Sequence, residues 1–496
     1  MNGAPPRPRR PSDRAFGFAL FWVALLPRLY VAVAWIKEPV WDGHYYHFGA
    51  ERIAAGLGYS EDVWVRGQLI WKPWVHYPVG YSALLGALYR TFGSSLLVAP
   101  LLNALLGALL AVTTFHGARD FLGQRRAALA AALVALHPGL IAYTPLVMTE
   151  VLAAFLISAL GLSLLSRRRW AVPVAGVLLG ALVLVRPASL ALLALLPFLR
   201  HGGVWTRIRD SVLVVLLAGL CVMPWTVRNC QRLDGCALVS TNGGWNLAIG
   251  AITESGRFQT LRASDGCSAV RGQVHQDRCW AELGKRRILA DPMGFLRRVP
   301  RKLAETFNHE SFAFEYLHEA DPIRWSEARR VAGRELTSWY HRLLLLIAGF
   351  GVVALPREFR RDRWGFAVQC ALLLTFGVLS GRALMFDDKP FFWLPVFAAV
   401  VGLLPLPGRP ATGPGALYAA GVLLSVVLVH ALFFGEDRYH MVASPMLCVL
   451  AAAALRPSRG HLRSSATTWS APENRLLNTV PGSSGVNDIY PAKLLR

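Results

Sequence analysis

The chain has 496 residues, of which 54% are hydrophobic and only 17% charged, and it carries a formal net charge of +22. A soluble chain of this size needs more charge to wet its surface, so composition excludes a soluble enzyme and points to an integral membrane protein. The positive charge does not indicate a nucleic-acid partner, because the basic residues cluster in short segments between apolar blocks, where they hold loops on the cytoplasmic side. These clusters are Arg7, Arg9, Arg10 and Arg14; Arg119, Arg125 and Arg126; Arg167 to Arg169; Arg200, Arg207 and Arg209; Arg357, Arg360, Arg361 and Arg363; and Arg456, Arg459 and Arg463.

Apolar blocks of about 15 to 20 residues are long enough to cross a hydrocarbon core of about 30 Å. The first, Ala15 to Ile36, is too long for a signal-peptide core and carries the chain outward from its basic N-terminus. Residues 37–95 then lie outside. Leu96 to Phe115 returns, Ala127 to Val147 goes out and leaves Glu150 at the outer face, and Val151 to Leu165 comes back. Ala171–Val185 and Ala188–Leu199 form a hairpin turning at Arg186-Pro187, and Val212 to Val222 leads to a polar outer region of residues 228–340. Five further spans are expected: Leu343–Leu355, Phe366–Leu384, Phe391–Leu406, Ala416–Phe434 and Met441–Leu455. The expectation is an all-α polytopic membrane protein with about twelve transmembrane helices, a small mixed extracytoplasmic domain at 228–340, and both termini cytoplasmic. Residues 457–496, without apolar period, read as a disordered tail.

The loop after the first span is dense in aromatic residues and runs Trp41-Asp42-Gly43-His44-Tyr45-Tyr46-His47. From Tyr45 to Ala55 its apolar positions repeat at helical spacing, which predicts a short helix along the membrane surface. Asp42 would stand at that helix's start, either as a catalytic carboxylate or as an N-cap. Glu150 would share its membrane face, again as a site residue or as a polar end to a span. His44 and His47, three apart, share a helix face and with Asp42 and Glu150 offer ligands for a divalent cation, or simply bond to headgroups. Cys230, Cys236, Cys267 and Cys279 fall in the outer region, an even number that suggests two disulfides with three pairings open; four free thiols is the alternative. Asp291–Phe307 has amphipathic helical spacing.

Several of these stretches resemble, in the same order, the motifs of GT-C-fold glycosyltransferases, above all protein O-mannosyltransferases and lipid A aminoarabinose transferases. Asp42 with Tyr45, Tyr46 and the turn Gly56-Leu57-Gly58-Tyr59 is similar to their first outer loop, and His76-Tyr77-Pro78-Val79-Gly80-Tyr81 to their Tyr-Pro-Pro-Gly-Tyr stretch. Lys72 in Trp71-Lys72-Pro73 resembles a Lys-Pro stretch of the aminoarabinose transferases. Met148-Thr149-Glu150 resembles the acidic motif after span three, Arg186-Pro187 the hairpin turn, Pro224 to Asn229 and Thr241 to Leu247 the entry to the outer domain, and Glu436-Asp437-Arg438-Tyr439 the late Arg-Tyr motif. One departure is Gly43, where many members carry Glu, which puts metal use at this loop in doubt.

The resemblance implies transfer of a sugar from a polyprenyl-phosphate carrier to a glycan, lipid or protein acceptor at the outer surface of the bilayer, with inversion. Asp42 would then be the base for the acceptor hydroxyl. Lys72, Arg228, Arg438 and Arg186 would hold the donor phosphate, where the alternative for each is a side chain reaching to headgroups. Tyr45, Tyr46, His76, Tyr77 and Tyr439 would line the substrate. Glu150 would shape the acceptor side or help hold a divalent cation. The Ala-, Leu- and Arg-rich composition suits a bacterial plasma membrane. A transporter or flippase would place ionisable residues near the midplane and show internal repeats, and a ligase or polymerase using diphosphate-linked donors would lack the Asp42 pattern.

Overall fold

The first helix, α1 (Asp13–Ala34), opens a computed structural model that describes residues 13–200, 202–353, 363–404 and 413–455, all within the compact unit Met1–Leu455. The basic clusters at 7–10, 357–361 and 456–463, and the predicted tail, lie outside the described residues. After α1, helix α2 (Asp42–Ala54) leads into a hairpin of β1 (Ser60–Val65) and β2 (Gln68–Pro73), closed by Arg66 and Gly67 at φ 51° and 81°. Positive φ at both turn residues is what a tight two-residue hairpin requires.

Next come α3 (Gly80–Phe92), α4 (Val98–Leu122), α5 (Gln124–Ala135) and α6 (Pro138–Ala142), then α7 (Glu150–Leu165) and α8 (Ala171–Val185). A 3-10 segment, Pro187–Leu195, precedes α9 (Leu196–Leu199) and the long α10 (Val204–Arg232). The region predicted as a mixed domain holds α11 (Gly243–Ile252), α12 (Gln273–Ala290), α13 (Pro292–Phe307) and α14 (Phe312–Ala320), and α15 already begins at Glu327, running to Val353. It contains no strand, and the sheet among the described residues lies instead at 60–73. The chain then continues through α16 (Arg363–Met385), α17 (Trp393–Leu403), α18 (Pro414–Leu432), a 3-10 segment Asp437–Ala443 and α19 (Ser444–Ala452).

Among the described residues six helices are long and apolar enough to cross a membrane: Arg14–Ala34, Val98–Leu122, Val204–Arg232, Glu327–Val353, Arg363–Met385 and Pro414–Leu432. Four shorter apolar helices accompany them, so the chain is a multi-pass membrane protein in which several expected spans are short or broken. The predicted span Ala127–Val147 is the clearest case. It breaks at His137-Pro138, because a residue before proline is driven out of the helical region, and His137 sits at φ −63°, ψ 113°. Arg28, fully buried in α1, caps the buried C-terminal end of α5: its guanidinium donates to the carbonyls of Ala135 (2.6 Å) and Val134 (3.0 Å). Helix-terminal carbonyls are a natural partner for a cation that has no counter-charge. The break sends the chain through an irregular stretch to Glu150, which Asn103 of α4 holds by bonds to the carbonyls of Thr144 (3.2 Å) and Leu146 (2.8 Å).

Two cysteine pairs form, Cys230–Cys236 and Cys267–Cys279, while Cys221, Cys370 and Cys448 are free. The predicted amphipathic segment is α13, capped by Asp291, whose carboxylate accepts from Gly294 N at 2.8 Å. Its buried face carries Phe295, Leu303 and Phe307.

Candidate functional site

Asp42 begins α2, yet its carboxylate does not cap that helix. The N-cap position is Trp41, without a side-chain cap, and Asp42 turns to two other partners. Oδ1 accepts from the Tyr77 hydroxyl at 2.6 Å, and Oδ2 pairs with Arg438. Arg438 also lies 2.5 Å through Nε from Oε2 of Glu436, a charge contact rather than an aligned hydrogen bond. Its guanidinium sits over the rings of Phe312 (4.9 Å) and Tyr439 (5.1 Å).

The electrostatics follow from this packing. Burial alone would raise the Asp42 carboxyl, but Arg438 and the Tyr77 hydroxyl outweigh it and hold Asp42 below the usual carboxylate range. The same burial, little relieved, pushes Glu436 up to about 7. Asp42 is therefore the stronger acid of the two carboxylates that meet Arg438. Burial, and then the neighbouring Asp42, push Tyr77 well up, so it stays a hydroxyl donor.

A second ion pair lies beside the first. Glu150, 1% exposed at the start of α7, accepts from Arg186 Nη2 at 2.8 Å, and its Oε2 is buried without a partner. Arg186 stands in extended conformation (φ −143°, ψ 94°) at the end of α8, as a residue before proline must. Its guanidinium lies 5.8 Å from the centre of the Tyr439 ring, so both arginines approach the same tyrosine. Tyr439 is itself stacked on His430 at 4.2 Å.

The Tyr77–Tyr81 stretch is what closes these pieces together. Tyr77 bonds Asp42, and a side chain at Gly80 would lie 2.7 Å from the backbone at Leu184–Val185, one residue before Arg186. Tyr81 donates to Asn103 at 3.3 Å, tying the loop to the segment that delivers Glu150. Gly43 has an equally local reason. A Cβ there would overlap the Tyr316 hydroxyl and meet the Val147 carbonyl at 3.0 Å, so no acidic residue fits at position 43. Gly43→Ala is expected to cost about 1–3 kcal/mol by overpacking, read as a lower midpoint of thermal unfolding in detergent. Adding Tyr316→Phe removes the overlapping oxygen and should restore part of the loss; simple additivity of the two would place the clash elsewhere.

The structure gathers Asp42, Tyr77, Arg438, Tyr439, Glu150 and Arg186. Tyr46 packs beside them, 5.5 Å from the Tyr77 ring, and Tyr45 lies 5.4 Å from it. His76 stacks edge-on to Trp245 at 5.2 Å. Two predicted phosphate ligands stand apart. Lys72 is exposed on β2 opposite Glu61, and Arg228 donates to the Tyr59 carbonyl at 2.5 Å while lying over Trp225. The predicted metal set also does not assemble. His44 stacks on Phe48, His47 bonds the Tyr89 hydroxyl at 2.7 Å, and Asp42 and Glu150 each pair with an arginine, so these four residues do not gather into one cluster. Among the described residues the carboxylate and imidazoles that do come together are Glu310, His341 and His440. Nothing in the sequence marked them, although His440 directly follows the Arg-Tyr motif.

No family model matches the sequence, and no curated protein matches it. Among solved structures the chain resembles the Archaeoglobus fulgidus oligosaccharyltransferase tethered with an acceptor peptide, at 15% identity and TM-score 0.45, covering 88% of this chain and 49% of that one. It also resembles AglB from Archaeoglobus fulgidus in complex with an inhibitory peptide and a dolichol-phosphate, at 15% identity, 89% and 50% coverage and TM-score 0.43. ArnT from Cupriavidus metallidurans bound to undecaprenyl phosphate follows at 17% identity, 87% and 76% coverage and TM-score 0.33. The chain spans about half the length of the archaeal proteins it matches.

Proposed function

We propose that this protein is a membrane glycosyltransferase that moves a sugar from a polyprenyl-phosphate carrier to an acceptor hydroxyl on the extracytoplasmic face, with inversion. The observation that carries this reading is the paired arrangement of Asp42–Arg438 and Glu150–Arg186 about Tyr439. A carboxylate beside two arginines offers a proton acceptor next to an anion site. The acceptor oxygen attacks the anomeric carbon, and the bond from that carbon to the phosphate oxygen breaks. The lipid phosphate leaves with the electron pair, and the hydroxyl proton passes to Asp42. Arg438 and Arg186 stabilise the charge that grows on the phosphate. A bound phosphate also competes for Arg438, and drawing Arg438 off Asp42 makes Asp42 the stronger base. Donor binding thereby readies the base. The fit of arginines to Asp42 and Glu150 supports a reaction without a metal at these two carboxylates.

The acceptor side of the proposal rests on a cavity of about 270 Å³ lined by His76, which precedes Tyr77 in the chain, with Trp245, Gln273, Asp277 and Trp280 among others. Indole faces with amide and carboxylate groups suit a sugar ring or a polar peptide. Trp245→Ala is expected to raise the KM for acceptor about tenfold with kcat little changed, as loss of uniform binding does. A drop in kcat alone would remove the cavity from the acceptor path. Extracytoplasmic placement is supported by the two disulfides between residues 230 and 279 and by the flanking basic clusters.

The test uses wild-type protein in sealed proteoliposomes offered polyprenyl-monophosphate sugars and, separately, polyprenyl-diphosphate sugars, with candidate acceptors. Release of polyprenyl phosphate from the monophosphate series alone is the expected result. Release from the diphosphate series alone would make the protein a ligase or polymerase, and unaltered movement of both lipids across the bilayer would make it a flippase.

A further inference from the structure

His440, the residue after Tyr439, is fully buried, as is His341 on α15, and Glu310 in the turn before α14 is 3% exposed. The two imidazoles stack with centroids 3.9 Å apart. Each commits one nitrogen to a backbone carbonyl: His440 Nδ1 lies 2.7 Å from Thr306 O, and His341 Nε2 lies 3.0 Å from Phe307 O. A carbonyl only accepts, so those nitrogens carry the hydrogens and the opposite ones, in neutral rings, carry lone pairs. His341 Nδ1 has no partner, and neither does Glu310 Oε1. His440 Nε2 faces Glu310 Oε2 at 3.3 Å. One potential ligand atom from each of the three residues lies within 4.8 Å of the others.

A buried polar atom without a partner costs about 1–3 kcal/mol. Here two stand in one cluster, and a cation would satisfy both. The N–H to carbonyl bond on each ring is also the arrangement that fixes the tautomer and orientation of a metal-bound histidine. We propose that Glu310, His341 and His440 bind a divalent transition-metal ion, zinc by the chemistry of two imidazoles and a carboxylate. Bonds of about 2.0–2.2 Å require the cluster to draw in from its present spacing.

The ion's place in the fold gives it a consequence. Asp437 accepts from Ser311 N, Ser311 Oγ (2.9 Å) and Phe312 N (2.9 Å), so the segments carrying Glu310 and His440 are already joined, one residue after Glu310 and three before His440. A metal bond between them would lock the 3-10 segment that carries Arg438. It acts as a clamp, positioning Arg438 against Asp42. Metal binding itself does not rest on the transferase reading; only its effect on Arg438 does.

The experiment measures metal in the full-length protein, purified without a polyhistidine tag, by mass spectrometry of the elements. Near one zinc per chain is expected, retained through EDTA dialysis while folded and released when the protein is unfolded in chelator. His440→Gln and Glu310→Gln should each lower that content at least tenfold, about the scale on which metal sites depend on their ligands and supports. Protein expressed in zinc-depleted medium should gain thermal stability when zinc is added, as a ligand bound only by the folded state requires. Should the variants fail to fold, the wild-type content and this thermal shift decide. Folded wild-type protein that carries no stoichiometric transition metal, even when grown and purified with zinc, overturns the proposal. Equal metal in wild type and folded variants overturns it too, because the ion then sits elsewhere.

Discussion

Cells that carry Asp42→Asn in place of the wild-type chain are expected to accumulate a polyprenyl-phosphate-linked sugar, visible by mass spectrometry of lipid extracts, whose mass identifies the sugar. Asparagine has the shape of aspartate and can still accept from Tyr77, so the first turn of α2 keeps its packing. What it lacks is the charge that takes the acceptor proton, a contribution of about 10²- to 10⁴-fold in rate. The charge is also what holds Arg438. Without it Arg438 keeps only Glu436 as a carboxylate partner, so it is freer for the donor phosphate. The expected signature in membranes is therefore a large fall in kcat with the donor KM unchanged or lower. A misfolded variant would instead lose abundance. If the lipid-linked sugars stay constant while folded protein is present at wild-type level, Asp42 only anchors Arg438, and the transporter and ligase readings return.

The reach of sequence reasoning can be seen in the two ends of that ion pair. Asp42 and Arg438 each stood out locally, one at the start of an amphipathic segment and one beside two acidic neighbours. Their contact joins positions 396 residues apart, and no periodicity reports such a contact. The amphipathic helices α2 and α13 were legible because side-chain burial repeats with the helix turn. The break at His137-Pro138 was masked by an apolar stretch that reads as one span, although the proline was in plain view. Arg28 makes that break tolerable, and a lone arginine in a hydrophobic run does not announce which carbonyls it will meet. Lys72 shows the opposite failure. Its neighbours fit a motif, but it falls on a two-residue-turn hairpin whose register points it to Glu61 rather than to the ion pairs. The cysteine pairing was open in the sequence for a plain reason: four thiols allow three connectivities, and the loop geometry that selects one is not encoded in spacing.

Replacing Arg438 separates its two proposed tasks, because they respond differently to pH and to charge. Asp42 works as a base only when ionised, so activity is present above its pKa and falls as pH drops through it. In the wild type Arg438 and Tyr77 overcome the effect of burial and keep that acid limb below the usual carboxylate range. Arg438→Gln removes the larger of the two opposing influences and leaves burial little opposed. The acid limb of kcat/KM is then expected to move to higher pH, and the rate at its plateau to fall about 10²- to 10³-fold as the developing phosphate charge loses a donor. Arg438→Lys keeps a charge near Asp42 but offers a point in place of a planar fork. It should hold the limb low while recovering only part of the rate. A limb that stays in place in Arg438→Gln would mean that Asp42 is not the group whose ionisation the reaction follows. A limb that moves, with no change in plateau rate, would confine Arg438 to tuning Asp42 and leave the phosphate to Arg186 alone.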